Sequence, residues 1–593
     1  MANENKSKRT SYIMLGIALF LILFGDLLAF AIQTDFGKVK VSDVRFVGES
    51  DMKTNALLYV PKTATAQKPA PGVLCIHGYL NNSGTQDGFA IEFARRGYVV
   101  LAIDQPGHGY SEPPANSNAF GANDGLLYLR GLNVVDKNNI GLSGHSMGGW
   151  GIMQAAKKYP DDYKAVVMES SNFATINATF PRNLCYVDGE WNDFAQAWYG
   201  TPTVKEALSS AKLEATFGTK DPVVPGKLYG SFADGTAREF YLVRTTHPGV
   251  HISPEAVADA TGWFQSTLQG GNTLPAADQT WWWKELGNLI ALIGMVMLLF
   301  PVGALILRAK FFKNIEEEAP EKPKSAKGWV WWISAIIMVV LPPATYLTFR
   351  LYFTKVWGAN FKLAPNQVFP ESITGEIMGW LLLVGIIALV LFLIWHFSAN
   401  RKATGSDYGL KWGPKLDWAK IGKSFLLAFL VALAAYITLA LSGLLNVDYR
   451  IWIFNIKLMS LLQFRIFWSY FIPFLLFYII LALVLNGQLR PTRKGEAMSM
   501  KSEMAINVGL LVIGFLGFLG YFYIPIMLGG PHPDPNNNLY VIIAIQFLSM
   551  FTIVATILTY FFRKTGHIYA GAFLSALLVT WIFVASQPIF VAM

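Results

Sequence analysis

The chain has 593 residues, too many for one hydrophobic core, and 53% of them are hydrophobic. Up to about residue 270 the composition fits an ordinary α/β domain with one apolar N-terminal segment, whereas long apolar runs follow from about residue 285. The formal net charge is +9, but the lysines and arginines cluster in short loops between the apolar runs. That pattern indicates membrane topology and excludes a nucleic-acid partner. Two cysteines, Cys75 and Cys185, exclude a disulfide framework and are expected to be buried thiols.

The first apolar segment follows a polar, basic N-terminus. Residues 1–10 are predicted to be cytoplasmic, and residues 11–33 are long enough to cross a bilayer as transmembrane helix 1. A signal peptide has a similar pattern, and Ala29-Phe30-Ala31 resembles a cleavage site, but we favour an uncleaved signal anchor. Asp26 is expected to reach the interface or a polar group on a neighbouring helix.

Residues 38–268 are predicted to form one α/β domain outside the membrane. Residues 39–47 and 56–59 alternate in the manner of an opening antiparallel hairpin. Short apolar strands then alternate with helices, which predicts a doubly wound, mostly parallel sheet. Ligands in such a sheet bind beyond the carboxyl ends of the strands. The predicted strands are 71–76, 98–103, 165–168 and 240–243, and the predicted helices include 89–96 and 124–132.

The strongest chemical signal is Gly144-His145-Ser146-Met147-Gly148, a G-x-S-x-G run between a buried strand and the helix predicted over 149–159. A serine on so sharp a turn has a strained backbone and an exposed hydroxyl. The two glycines are needed because a β-carbon would clash across the turn. The N–H groups that open the helix point at a developing oxyanion, so Ser146 is the predicted nucleophile.

Two further segments accompany this motif: Cys-Ile-His-Gly-Tyr at 75–79 and Asp-Gln-Pro-Gly-His-Gly-Tyr-Ser at 104–111. Together the three resemble the α/β-hydrolase superfamily, in its esterase and serine-aminopeptidase-like branches, over roughly residues 39–268. The resemblance implies a catalytic triad in the chain order serine, acid, histidine. It also implies an oxyanion hole built from the backbone N–H groups of Tyr79 and Met147. No metal or other cofactor is expected.

The catalytic base is expected in Thr-His-Pro-Gly-Val-His at 246–251, after the strand predicted over 240–243. The resemblance assigns His251 as the base that accepts the serine proton, since Pro-Gly-x-His is a common form of this loop in the superfamily. His247 is the alternative.

The acid has two candidates of equal standing. Asp221 lies in a loop that looks like the superfamily's acid loop and precedes His251 by a usual interval, but the strand needed before it, 213–217, would bury Glu214. Asp193 follows an apolar strand and precedes a good crossover helix at 203–212, although it is displaced by one residue from the family position. Glu169 is a distant third candidate.

Residues 269–284 are a predicted linker, and residues 285–593 are predicted to be a membrane domain of eight transmembrane helices for which no family resemblance is recognised. The positive-inside rule places the basic loops in the cytoplasm. The hydrolase domain, the C-terminus and the poorly charged loops, one of which holds Lys362, are then extracytoplasmic. The aromatic-rich segment 449–464 is either an amphipathic helix in the outer interface or an ordinary loop. The apolar runs are 286–309, 329–352, 375–398, 420–445, 466–487, 505–528, 539–562 and 567–590.

These features predict a multi-pass serine hydrolase of the cell membrane with an outward-facing active site. It would cleave an ester or amide in a small-molecule, lipid or peptide substrate through an acyl-serine intermediate. Eight spans exceed what anchoring needs, so one alternative is an acyltransferase that modifies an exported lipid or glycan. A second alternative is a transporter or receptor with a non-catalytic hydrolase-like outer domain.

Overall fold

A computed structural model of the protein describes residues 2–355 and 365–593, without the side chains of 2–7 and 351–355. The loop around Lys362 therefore lies outside the described residues. Helix α1 (Ala2–Gln33) precedes an α/β domain, and a helical domain follows it. Cys75 and Cys185 are buried and unpaired, as predicted.

The α/β domain is built on an eight-stranded sheet with the order β1-β2-β4-β3-β5-β6-β7-β8. Strands β1 and β2 form an antiparallel hairpin, β2 pairs antiparallel with β4, and the remaining pairs are parallel. The predicted mostly parallel, doubly wound sheet is confirmed. The strands are β1 (Val39–Val47), β2 (Lys53–Pro61), β3 (Ala70–Ile76), β4 (Val99–Ile103), β5 (Val135–His145), β6 (Ala165–Glu169), β7 (Leu184–Trp191) and β8 (Arg238–Thr246).

Helices cover both faces of this sheet, which is why β3, β4 and β6 are buried over their whole length. The helices are α2 (Asp87–Arg95), α3 (Ala122–Gly131), α4 (Met147–Lys158), α5 (Ala195–Tyr199), α6 (Val204–Ala207), α7 (Ala211–Phe217) and α8 (Pro254–Thr267).

The segment between β7 and β8 differs from its prediction. Residues 213–217 are not a strand but part of helix α7, in which Ser210 caps the helix by accepting a hydrogen bond from the backbone N–H of Leu213. The single crossover helix expected over 203–212 is divided into α6 and α7 by that cap. No strand therefore precedes Asp221, and the last two strands of the sheet are β7 and β8.

Nine helices within the described residues are long and apolar enough to cross a membrane, which fits a multi-pass membrane protein. The first is α1, and the next, α9, begins at Trp281, inside the predicted linker. The last, α16, is buried along its entire length by the other helices. The helices after the α/β domain are α9 (Trp281–Leu307), α10 (Gly328–Lys355), α11 (Ser372–Ala399), α12 (Trp418–Gly443), α13 (Leu461–Leu483), α14 (Met500–Met527), α15 (Asn538–Thr565) and α16 (Tyr569–Ser586).

Small residues hold α1 against α9. A β-carbon on Gly25 would lie 2.6 Å from the backbone nitrogen of Ala291, and one on Gly287 would lie 2.7 Å from the carbonyl oxygen of Gly25. Backbones this close are typical of small-residue contacts between membrane helices. Asp26 accepts a 2.6 Å hydrogen bond from Ser442 on α12, so it reaches a neighbouring helix as expected.

The basic loops and the α/β domain lie at opposite ends of the helical domain. At the basic end, loops that are distant in sequence bind one another: the N–H of Ala326 donates to the carbonyl of Gln488, and Asn400 donates to the carbonyl of Lys324. At the other end, the N–H of Ile589, in the C-terminal tail, donates to the carbonyl of Gly107 in the α/β domain.

The segment predicted to be an amphipathic helix or a plain loop is instead a β-hairpin followed by the start of α13. Its strands are β9 (Tyr449–Ile451) and β10 (Phe454–Ile456). Arg450 is buried and forms ion pairs with Asp87 of α2 and with Asp448, and its guanidinium also donates to the carbonyl of Gly84. The hairpin thus docks the helical domain on the α/β domain.

Candidate active site

Ser146 lies on the turn between β5 and α4, with a strained backbone conformation of φ 52° and ψ −119°. The glycines on either side make this turn possible. A β-carbon on Gly144 would lie 2.6 Å from the backbone of Gly148, and one on Gly148 would collide with the carbonyl of Ile76. The conformation costs about 1–3 kcal/mol and is typical of a nucleophile elbow.

Two backbone N–H groups flank the serine. Met147 is the first residue of α4, and Tyr79 follows β3 in the loop that packs on the elbow, where a β-carbon on Gly78 would lie 3.0 Å from Cβ of Ser146. Within the described part of the chain, neither the Met147 nor the Tyr79 N–H has a hydrogen-bond acceptor. Two unused donors beside a nucleophile are what an oxyanion hole requires.

The loop after β8 brings two histidines to the elbow. The ring of His251 lies 3.9 Å from the ring of His145, the residue before Ser146, and the ring of His247 lies 4.7 Å from it. Burial, and then the neighbouring His145, lower the pKa of both His247 and His251 well below the ordinary value. Both imidazoles are therefore neutral at neutral pH, the state that a general base requires.

The histidines also have unused ring nitrogens. Among the residues that the structure describes, neither nitrogen of His251 has a hydrogen-bond partner, and Nδ1 of His247 has none. Both nitrogens of the base in a serine–histidine–acid triad are engaged in the working complex, one by the serine and one by the acid. Both ring nitrogens of His251 are therefore available for these two hydrogen bonds.

Asp193 follows β7 and is buried, and burial raises the pKa of its carboxyl to about 7. The backbone N–H of His247 and the hydroxyl of Tyr523 approach this carboxylate, although neither contact has the geometry of a formed hydrogen bond. An acidic side chain beyond β7 and histidines beyond β8 meet at the carboxyl edge of the sheet, because these two strands are parallel neighbours.

The other two acids lie elsewhere. Asp221 is exposed in the loop after α7, where its backbone N–H binds Thr219. Glu169 is buried in β6, its carboxylate accepts a hydrogen bond from the hydroxyl of Ser143, and burial raises its pKa to about 8. The structure therefore gathers Ser146, both histidines and Asp193, and leaves Asp221 at the surface.

Side chains of the helical domain complete the surroundings of this site, and sequence reasoning missed them. Asn538 donates a 3.2 Å hydrogen bond to the carbonyl of Asp193, and the ring of Phe590 lies 6.2 Å from that of Tyr79. Trp452 donates to the carbonyl of Pro248, next to His247. These partners are hundreds of residues apart in the chain, so no local pattern could reveal them.

The model of the family described as the alpha/beta hydrolase fold matches residues 71–296. With the strand order of the sheet, this match confirms the resemblance to the α/β-hydrolase superfamily that the motifs indicated. The family match supports the prediction that the protein is a hydrolase.

Among curated proteins, an uncharacterized protein of Mycobacterium tuberculosis is 34% identical over 113 residues, 18% of this chain and 32% of that protein. The 2-(acetamidomethylene)succinate hydrolase of Mesorhizobium japonicum is 35% identical over 98 residues, 16% of this chain and 34% of the enzyme. The chain thus spans about a third of the length of these relatives.

Among solved structures, an esterase of Pyrococcus furiosus is 14% identical with a TM-score of 0.29, covering 40% of this chain and 96% of the esterase. A hydrolase of Thermoplasma acidophilum is 14% identical with a TM-score of 0.27, covering 39% of this chain and 96% of that protein.

Proposed function

We propose that the protein is a membrane-embedded serine hydrolase with an outward-facing active site, which cleaves an ester or amide through an acyl-Ser146 intermediate. The observation that carries the proposal is the strained turn at Ser146, with free N–H groups at Met147 and Tyr79. The pair of angles φ 52° and ψ −119° lies outside the left-handed region that non-glycine residues adopt in turns, and strain of this kind is concentrated at functional sites.

In this mechanism Ser146 Oγ attacks the carbonyl carbon of the substrate while His251 accepts the hydroxyl proton. The oxyanion of the tetrahedral intermediate accepts hydrogen bonds from the N–H groups of Tyr79 and Met147, each worth about 3 kcal/mol. His251 then gives its proton to the departing alcohol or amine. Water activated by the same imidazole cleaves the acyl-enzyme and frees Ser146, while ionised Asp193 orients the ring.

The outward orientation is supported by charge. The basic loops lie at the end of the helical domain opposite the hydrolase domain, and lysine and arginine are enriched in cytoplasmic loops. The substrate is a small molecule, lipid or peptide that reaches the outer surface of the cell membrane.

The test is labelling of the full-length protein by a fluorophosphonate probe, which reacts with activated serines. We expect one labelled peptide, the one that contains Ser146, and loss of labelling in the Ser146→Ala variant. Ser209→Ala, an exposed serine of the same domain, is the matched control and should label fully. Absence of labelling at Ser146 in folded protein would count against the proposal.

The second candidate, an acyltransferase, is favoured by the way the helical domain covers the carboxyl edge of the sheet through Asn538 and Phe590. An acceptor held by the membrane domain could replace water in the second step. Product identity distinguishes the two: an acylated lipid or glycan, rather than free acid, favours transfer.

A further inference from the structure

A cavity of about 600 Å³ lies between the hydrolase domain and the helical domain, beside the catalytic residues but without any of them in its wall. One wall comes from β1, β2 and the loops after β3 and β4. The other comes from the C-terminal end of α12, the hairpin segment and the start of α13. The residues used below all line this cavity: Arg45, Asp104, Tyr110, Leu439, Lys457 and Leu461.

Lys457 follows β10 and is only 4% exposed. Among the described residues, its ammonium group has no ion pair within 4.0 Å and no hydrogen-bond acceptor. It lies 5.9 Å from the centre of the Tyr110 ring. A buried, unpaired ammonium is costly, and burial lowers the pKa of Lys457. An anion that enters the cavity would relieve this cost.

The other charges that are buried in the cavity are already engaged. Asp104 accepts hydrogen bonds from the N–H groups of Ser83 and Tyr110, at 2.7 and 3.0 Å. Arg450 pairs with Asp448, and Lys284 pairs with Asp87. These carboxylates therefore have donors of their own, although Asp104, Asp448 and the buried Glu371, which lies outside the cavity wall, attract the Lys457 ammonium from a distance.

A second cation stands at the mouth of the cavity. The guanidinium of exposed Arg45 lies 5.9 Å from the centre of the Tyr110 ring. Its Nε donates to the side-chain oxygen of Asn55, which leaves its two terminal nitrogens free for a ligand. Asp43 lies nearby and shares Asn55 with it, so the charges at the mouth are balanced, whereas the Lys457 ammonium has no ion pair within 4.0 Å among the described residues.

The remaining wall is apolar and belongs to the ends of two membrane helices. Leu439 lies in the last turn but one of α12, and Leu461 begins α13 with 82% of its surface exposed. Both helices are candidate membrane spans, so the cavity opens at the level where these spans end. An acyl chain could lie against this side while a charged group enters the polar side.

We propose that the cavity binds the anionic group, a phosphate or a carboxylate, of an amphiphile, with Lys457 as the buried counter-ion and Arg45 closing the mouth. Charge-assisted hydrogen bonds from these two residues would hold the anion. The wall shares the loops after β3 and β4 with the surroundings of Tyr79, so the bound molecule would lie next to the catalytic site. Binding does not require Ser146 to be reactive.

The test measures ligand binding to the full-length protein in detergent by native mass spectrometry. The Ser146→Ala variant is used so that binding is measured without turnover. The probes are dioctanoyl phosphatidylglycerol, dioctanoyl phosphatidylcholine and inorganic phosphate. We expect phosphatidylglycerol to bind more tightly than phosphatidylcholine, and Lys457→Gln to weaken it about tenfold or more. Lys457→Arg, which keeps the charge, should bind within about threefold of the parent protein.

Lys501→Gln, at an exposed lysine on the basic side, is the matched control and should bind like the parent. If Lys457→Gln does not fold, Arg45→Gln, at an exposed position, tests the contribution of the cation at the mouth of the cavity. This variant should also weaken the binding of phosphatidylglycerol. Inorganic phosphate that displaces the lipid at equal concentration would support the anion site with a free anion as its ligand. Equal binding of phosphatidylglycerol by the parent, Lys457→Gln and Arg45→Gln would overturn the proposal, and so would equal binding of the two lipids.

Discussion

Ser146 is held in a conformation that few residues other than glycine adopt, and four close contacts enforce it. Its N–H donates to the carbonyl of Glu169, its carbonyl accepts from the hydroxyl of Ser171 and the N–H of Gly149, and Gly78 packs on its side chain. The surrounding sheet therefore supports the strain, because each partner lies in β6 or α4 or in the loops that directly follow β3 and β6.

Replacement of the acid separates the two candidates. Asp193→Asn should lower kcat about 10³- to 10⁴-fold, because a neutral amide cannot stabilise the imidazolium that forms. Asp221→Asn, at the surface, should stay within about twofold. The assay is hydrolysis of a p-nitrophenyl ester by purified full-length protein.

The Asp193→Asn variant should fold normally. Burial raises the pKa of Asp193 to about 7 in the folded protein, above the ordinary 3.8, so ionisation costs stability as the pH rises through about 7. Asparagine removes that cost, and the thermal midpoint at pH 8 should not fall. Loss of activity in Asp221→Asn with Asp193→Asn unaffected would reverse the assignment.

The pH dependence follows from the same groups. The histidines are already neutral near pH 7, because burial lowers their pKa well below 6.5. Asp193 must be ionised to orient the base, and its carboxylate is lost as the pH falls through about 7. We expect kcat/KM to fall as the pH is lowered, with a midpoint near pH 7. This decrease on the acid side should be absent from the residual activity of Asp193→Asn. An unchanged decrease in that variant would assign it to another group.

Single residues were predictable where the signal is local. Ser146, Tyr79 and Met147 stand in short motifs, so the sequence alone indicated the sharp turn and its flanking N–H groups, and their catalytic roles stay predictions. The choice between Asp193 and Asp221 depends on which segment is the seventh strand, and the sequence of residues 213–217 is compatible with both a strand and a helix. The Ser210 cap, which only the structure displays, places residues 213–217 in helix α7 and so favours Asp193, whose role stays a prediction.

Among the elements, the membrane helices were the most predictable, because about twenty apolar residues have few alternatives in a chain. The β9–β10 hairpin was not predictable. Its strands have three residues each, and their aromatic side chains fit an interfacial helix equally well. Contacts with Asp87 and Gly84, far away in sequence, determine its structure.

Arg450 on this hairpin is expected to couple the domains. Arg450→Met removes the partner of half-buried Asp448 and leaves buried Asp87 with Lys284 alone, and breaking a buried ion pair typically costs about 3–5 kcal/mol. We expect a lower thermal midpoint and faster proteolysis in the residues that lead into α9. Arg244→Met, at an exposed arginine of β8, is the matched control. Identical behaviour of the two variants would show that the hairpin does not hold the domains together.

At the scale of the whole molecule, the sequence predicted two domains and a segregation of charge, and the structure places the basic loops away from the hydrolase domain. It could not predict that the carboxyl edge of the sheet faces the helical domain, since that depends on Asn538, Trp452 and Phe590 meeting distant loops. This arrangement puts the loops around Ser146 next to the ends of the long apolar helices.

The orientation is testable because the two native cysteines are fully buried. Lys220→Cys, exposed in the hydrolase domain, should react with an impermeant maleimide on intact cells. Lys415→Cys, exposed in a basic loop, should react only after the membrane is permeabilised. The opposite pattern would place the hydrolase domain in the cytoplasm.

The central claim is that Ser146 carries an acyl group during turnover. Acid quenching of full-length protein mixed with an excess of p-nitrophenyl acetate, followed by peptide mass spectrometry, measures this directly. The account predicts a mass gain of one acetyl group on the peptide that contains Ser146, and none in Ser146→Ala. Hydrolysis of the ester at an unchanged rate by Ser146→Ala, or acetyl transfer to a different residue, would contradict it.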